Sequence, residues 1–191
     1  MPMQNAFPCT ALRAVQAMQA VKAVPAPTES RIAPRYAGAD LLDAFAVTLP
    51  PAASYDIDAL AEATLNDPPG WFRSLLSLRD AIMGRFGVIS SSAMRSRLAA
   101  EQADRLDFFR VLSRDASELV VGENDRHLDF QCSLLYRPKA GTRQVELVAT
   151  TVVHCHNRLG RAYLGVISPF HRTVVRTLVS RAARSLAAQA A

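Results

Sequence analysis

The chain has 191 residues, half of them apolar and a fifth charged. That composition excludes a mainly disordered, collagen-like or coiled-coil chain and favours one domain with room for an extension. The net charge of +5 is unevenly placed: residues 1–39 hold four basic side chains and one acid, residues 157–191 hold six arginines and no acid, and the body between them is acidic. A basic tail on an acidic body is a poor match to a nucleic-acid binder, which presents one continuous basic surface to the phosphates. No charge-free apolar run is long enough to span a bilayer, so no membrane span is expected. Cys9, Cys132 and Cys155 form no CxxC motif and cannot all pair, which fits a reducing, cytoplasmic setting.

Residues 1–38 form an extension in which Leu12, Val15, Met18 and Val21 recur every three residues, as in a short helix. Arg13 and Lys22 interrupt what would be the apolar stretch of a secretory signal. A proline-containing linker through Pro34, or disorder, is expected to follow. Residues 39–187 are expected to form a single domain. It opens with a strand in which Phe45, Val47 and Leu49 alternate with smaller residues up to Pro50-Pro51. Asp56 can cap a helix over 57–64 that ends at Asn66-Asp67-Pro68-Pro69. A second helix, capped by Asp67, has the stripe Trp71, Leu75, Leu78, Ile82 and Phe86, with Trp71 expected as a packing residue. Residues 88–104 are polar and lack strand alternation, so they are expected as a mobile connection.

Short strands at 108–113 and 118–122 flank the turn Arg114-Asp115. A longer antiparallel pair follows: Leu128, Phe130, Cys132, Leu134 and Tyr136 share one face of the first strand, and Val145, Leu147, Ala149, Val153 and Cys155 share one face of the second. Strict alternation predicts one buried face and one wet face. From Arg158 a long helix carries Leu159, Tyr163, Val166, Ile167, Phe170, Val174 and Leu178 on one stripe, opposite Arg158, Arg161, Arg172 and Arg176. Pro169 predicts a kink or break in it. This order is α+β, with a curved antiparallel sheet wrapped around the C-terminal helix and two short helices after the first strand. It is the helix-grip order of the Bet v 1 and START-like superfamily, an analogy that carries no chemistry.

Three blocks, PPGWFRSLLSLRDAIMGRFG (68–87), GENDRHLDFQCSLL (122–135) and TTVVHCHNRLGRAYLGVISPFHRTVVR (150–176), resemble a bacterial family of uncharacterised proteins, domain of unknown function 2867. The strand LLDAFAVTLP (41–50) is similar too. The resemblance covers about residues 40–180 and implies a helix-grip-like fold, with no activity or cofactor.

Two groups of residues could carry function. If Lys139 pairs with Thr142, His127 faces His154 on the wet side of the hairpin, with Asp129 and His156 beside them. Three imidazoles and a carboxylate on one surface could ligate zinc, or a His/Asp pair could move protons. The same residues could equally form a hydrogen-bonded polar face, and a register slip would scatter them. On the apolar side, Phe45, Val47, Phe130, Cys132, Leu134, Tyr136, Tyr163 and Phe170 are expected to line the space between sheet and helix, where an apolar small molecule could bind without a cofactor. The sequence has no GxSxG, Walker or GxGxxG motif, and both domain cysteines point to the apolar side, so covalent catalysis is not expected. A protein–protein module using the arginine face and the N-terminal arm is a third possibility. Docking of the last helix on an anionic membrane is disfavoured here, because its apolar stripe is needed for the sheet.

Overall fold

The computed structural model describes residues 20–49, 55–66, 68–84, 90–101 and 104–189. The helix expected around Leu12, Val15 and Met18, the Asp67 cap and Phe86 lie outside the described residues. Among those described, seven strands form one antiparallel sheet in the order β1-β2-β7-β6-β5-β4-β3. They are β1 (Lys22–Ala23), β2 (Leu41–Thr48), β3 (Arg105–Leu106), β4 (Phe109–Arg114), β5 (Glu118–Asn124), β6 (Leu128–Pro138) and β7 (Val145–Cys155). The helices are α1 (Ile57–Leu65), α2 (Gly70–Met83), α3 (Ser91–Ala100) and α4 (Arg158–Gln189). The long helix packs against the sheet in a helix-grip-like arrangement, as the element order predicts.

The core lies between the sheet and two helices. Asp56 caps α1 by accepting from the Asp58 N–H at 3.1 Å, and Ile57, Leu60, Ala61 and Leu65 turn inward at helical spacing. They meet Phe45, Val47, Leu119, Val121, Leu134, Leu147 and Ala149 from the sheet. The second half of α4 adds Val175, Val179, Ala182 and Ala183, whose small side chains let the helix approach closely. Burial of each of the larger aliphatic side chains contributes about 1.5–3 kcal/mol. The first half of α4 belongs instead to a smaller cluster, in which Leu164 and Ile167 pack with Val153 and Cys155.

Three expectations change. The β6–β7 hairpin pairs Asp129 with His154, two residues away from the expected register, because its loop is longer: the Lys139 N–H donates to the Gln144 carbonyl at 2.8 Å. A shift of two keeps every side chain on its expected face, where a shift of one would have inverted the hairpin. Residues 91–100 are helical rather than a connection; Ser90 caps α3 by accepting from the Ala93 N–H at 3.2 Å. The helix α4 runs unbroken through Pro169.

The face expected to be wet is covered. Ser133, Leu135, Val148, Thr150 and Val152 are all buried there. Residues 24–39 lie across it as a strap: Ile32 packs on Val120 and Val152, and Val24 and Ala26 pack on Ala44, Ala46 and Val148. The strap is pinned at Glu118, whose side chain is buried on that face. Its carboxylate accepts from the Ser30 and Ser133 hydroxyls, each at 2.5 Å, and from the Arg31 N–H at 2.9 Å. Arg31 pairs with Asp115 at 2.7 Å, Arg35 pairs with Asp129, and Arg137 pairs with Glu29. The basic extension is thus bound to the acidic body. Replacing Glu118 by Ala strands two buried hydroxyls and a part-buried N–H, and urea unfolding should show a loss of about 3 kcal/mol.

Candidate functional site

The four outer-face candidates do not converge on one point. His154 donates through Nε2 to the Arg35 carbonyl at 2.9 Å, which ties the end of the strap to β7. His156 Nε2 lies 3.2 Å from Asp129 Oδ1, and the other oxygen of Asp129 takes Arg35. His127 stands apart: its Nδ1 meets the Asn157 amide at 3.1 Å, and its carbonyl accepts from the His156 N–H at 2.9 Å. Among the described residues, no group of three or more His, Cys, Asp or Glu side chains is placed to hold a metal ion.

His127 and Asn157 instead build the corner from which α4 starts. Asn157 Oδ1 accepts from the Gly160 N–H at 3.0 Å, satisfying a first-turn donor of the helix, and Nδ2 donates to the Arg126 carbonyl at 3.2 Å. A Cβ at position 160 would collide with the His127 carbonyl oxygen, so only glycine lets the helix begin this close to β6. Beyond the corner, polar ties hold the helix over the sheet. Arg161 lies 3.6 Å from Asp40, whose other oxygen accepts from the Cys155 N–H at 2.7 Å. That backbone hydrogen bond holds the Asp40 carboxyl below the ordinary aspartate value. Further along, His171 Nε2 lies 3.4 Å from Asp43 Oδ1 and Arg172 Nε 3.8 Å from Asp43 Oδ2.

Under this tied half of α4 the structure leaves an apolar cleft of about 240 Å³. Its floor is the sheet, at Phe130, Thr151 and Val153. One wall is α4, at Tyr163, Leu164, Ile167 and His171. The other is α2 and α3, at Phe72, Leu76 and Met94, with Phe108 beside them. The α2 wall is held to α4 by Arg79, which donates to the Tyr163 hydroxyl at 3.2 Å and packs over its ring. The neighbouring Asp80 joins α2 to α3: it takes Arg79 at 2.8 Å and both the hydroxyl and the N–H of Ser91, at 2.6 and 2.9 Å. Burial pushes the Asp80 carboxyl up, but the hydrogen bonds from Ser91 and Arg79 outweigh it and hold the group below its ordinary value.

Of the eight residues expected to line such a space, Phe130 and Tyr163 do so. Phe45, Val47 and Leu134 belong to the closed core, and Cys132 and Tyr136 pack against it. Phe170 is exposed on the outside of α4. Burial pushes the Cys132 thiol up to about 11, so it stays protonated at neutral pH and is a packing group. Trp71, expected in the core, is also exposed. The cleft face of α2 is carried by Phe72 and Leu76, one position on from the Trp71–Leu75 pair. This second i, i+4 pair was visible in the sequence; which of the two faces inward depends on a wall that only α4 provides.

Residues 35–178 match the family described as protein of unknown function (DUF2867). The chain belongs to this family. The match spans six of the seven strands, the cleft and most of α4, but leaves out β1 and most of the strap. No curated protein and no solved structure matches the chain.

Two measurements test this geometry. Gly160→Ala forces the α4 corner open and should cost roughly 2–3 kcal/mol in chemical denaturation. Asp80→Asn should lower stability by about 1–2 kcal/mol at neutral pH. Because the folded Asp80 carboxyl sits below its unfolded value, its contribution is complete above the ordinary aspartate pKa of about 3.9 and is lost as pH falls through the lowered value. The gap between wild type and Asp80→Asn should therefore close in acid.

Proposed function

We propose that this protein binds an apolar small molecule non-covalently in the cleft beneath the first half of α4, as a helix-grip domain. The observation that carries this reading is an open space with apolar walls directly beside a core that is otherwise closely packed. Apolar side chains left unopposed forfeit dispersion contacts that close packing supplies, and a ligand would restore them. An apolar cavity of about 150 Å³ accommodates benzene, so the cleft has room for a larger ring system or a short branched chain.

Several polar groups around it are engaged in holding its walls: Arg79 with Tyr163 and Asp80, Ser91 with Asp80, and one oxygen of Glu123 with Arg97 at 2.8 Å. Glu123 Oε2 and His171 Nε2 are buried without a hydrogen-bond partner, so the mainly apolar walls select for shape and apolarity with room for a polar group at their edge.

The uncharged fluorescent probe N-phenyl-1-naphthylamine tests the reading. Saturable binding of one probe per chain is expected, and Ile167→Trp, which fills the cleft, should weaken it at least about tenfold. Absence of saturable binding, or binding that Ile167→Trp leaves unchanged, contradicts the proposal.

A further inference from the structure

The floor of the cleft is not apolar throughout. Among the described residues, eight buried side-chain nitrogen or oxygen atoms have no hydrogen-bond partner. Buried polar groups are nearly always paired, so several unpaired ones in one place need a reason. Four of the eight fall together: both carboxylate oxygens of Asp43, Oγ1 of Thr151 and Nε2 of His171. The strand register explains why they meet. Asp43 on β2, Thr151 on β7 and Cys132 on β6 stand opposite one another in one cross-strand row, on the face that looks toward α4. The helix brings His171 Nε2 to 3.4 Å from Asp43 Oδ1 without forming a hydrogen bond. Thr151 is 4% exposed and, with His171, lines the cleft. The Cys132 thiol beside it, kept protonated by burial, is a weak hydrogen-bonding group.

We propose that the molecule bound in the cleft carries a hydroxyl group, seated between Thr151 and His171 and backed by Asp43. The proposal rests on the cleft reading above and adds the chemistry of one end of the ligand. A hydroxyl both donates and accepts, which suits a threonine hydroxyl and an imidazole nitrogen together. Charge narrows the class further. Asp43 faces Arg172 as well as His171, and Glu123, whose Oε2 is a further unpaired acceptor on the cleft, has Arg97 on its other oxygen. An ammonium ligand would compete with cations already in place, and a carboxylate ligand would be brought up against Asp43. A neutral group pairs here without either cost. The ligand class is therefore an apolar ring compound bearing a hydroxyl.

Displacement of N-phenyl-1-naphthylamine from the full-length protein by naphthalene and by 1-naphthol, which differ in the hydroxyl alone, provides the test. 1-Naphthol should compete about fivefold to tenfold more tightly. Thr151→Val keeps the shape and removes the hydroxyl. It should erase most of that preference, leave naphthalene competition unchanged, and melt at or above the wild type, because an unpaired buried hydroxyl is lost. Thr151→Ser, which keeps a hydroxyl, should retain the preference, and so should Glu123→Gln. A role in packing alone would instead move the melt and both compounds together. Equal competition by the two compounds overturns the inference while the cleft reading stands, and leaves the polar row to solvent. A preference that survives Thr151→Val overturns it as well, and one lost in Glu123→Gln does so by placing the hydroxyl at Glu123. Failure of N-phenyl-1-naphthylamine itself to bind contradicts the cleft reading and this inference with it.

Discussion

The first half of α4 is held over the sheet by polar ties and by a small apolar cluster, Leu164 and Ile167 with Val153 and Cys155, outside the main core, and the cleft lies beside that cluster. Along its second half the helix is a core element, with Val175, Val179, Ala182 and Ala183 seated against α1 and the sheet. Along its first half there is no α1 beneath it. The helix is positioned there by the Asn157–Gly160 corner on His127, by Arg161 near Asp40, by His171 and Arg172 near Asp43, and by Tyr163 under Arg79. Of these, the Asn157 and Arg79 contacts are hydrogen bonds and the Asp40 and Asp43 contacts are longer charge pairs of 3.4–3.8 Å, which leave part of the space beneath the helix open.

The same economy runs through the charge distribution. The basic extension, acidic body and basic final helix are complementary surfaces that meet within one chain. Arg31 and Arg35 of the strap find Asp115 and Asp129, and arginines of α4 find Asp40 and Asp43. Exposed pairs of this type contribute little each. The strap has a stronger anchor in buried Glu118, whose oxygens are hydrogen-bonded across the strap and two strands. The net charge is therefore a weak guide to partners: on α4, Arg161 and Arg172 lie near Asp40 and Asp43, and Arg176 packs over the Phe45 ring.

Where the sequence carried a period, the fold was legible in it. The alternation of Leu128 through Tyr136 and of Val145 through Cys155 identified the central hairpin and its inner face correctly, and the apolar stripe of α4 identified the long helix. What carried no period was not legible. The strap uses isolated anchors, Ile32 and Ser30, in a segment rich in proline. The helix α3 lies near the surface with almost no apolar asymmetry, and its start depends on a serine cap and on Asp80, eleven positions earlier. His154 and His156 lie on the expected face, whereas His127 lies at the α4 corner and lines the cleft, and a hairpin loop two residues longer moves every cross-strand pair. Of the cleft, only Phe130 and Tyr163 were anticipated; its other wall comes from helices whose facing depends on tertiary contacts.

Amide hydrogen exchange along α4 tests the central claim most directly. A helix tied by polar contacts over an open cleft should exchange faster over residues 160–171 than over 175–183, where it is packed in the core, and the faster half should slow when N-phenyl-1-naphthylamine is bound. Uniform protection along the whole helix, unchanged by the probe, would contradict the account.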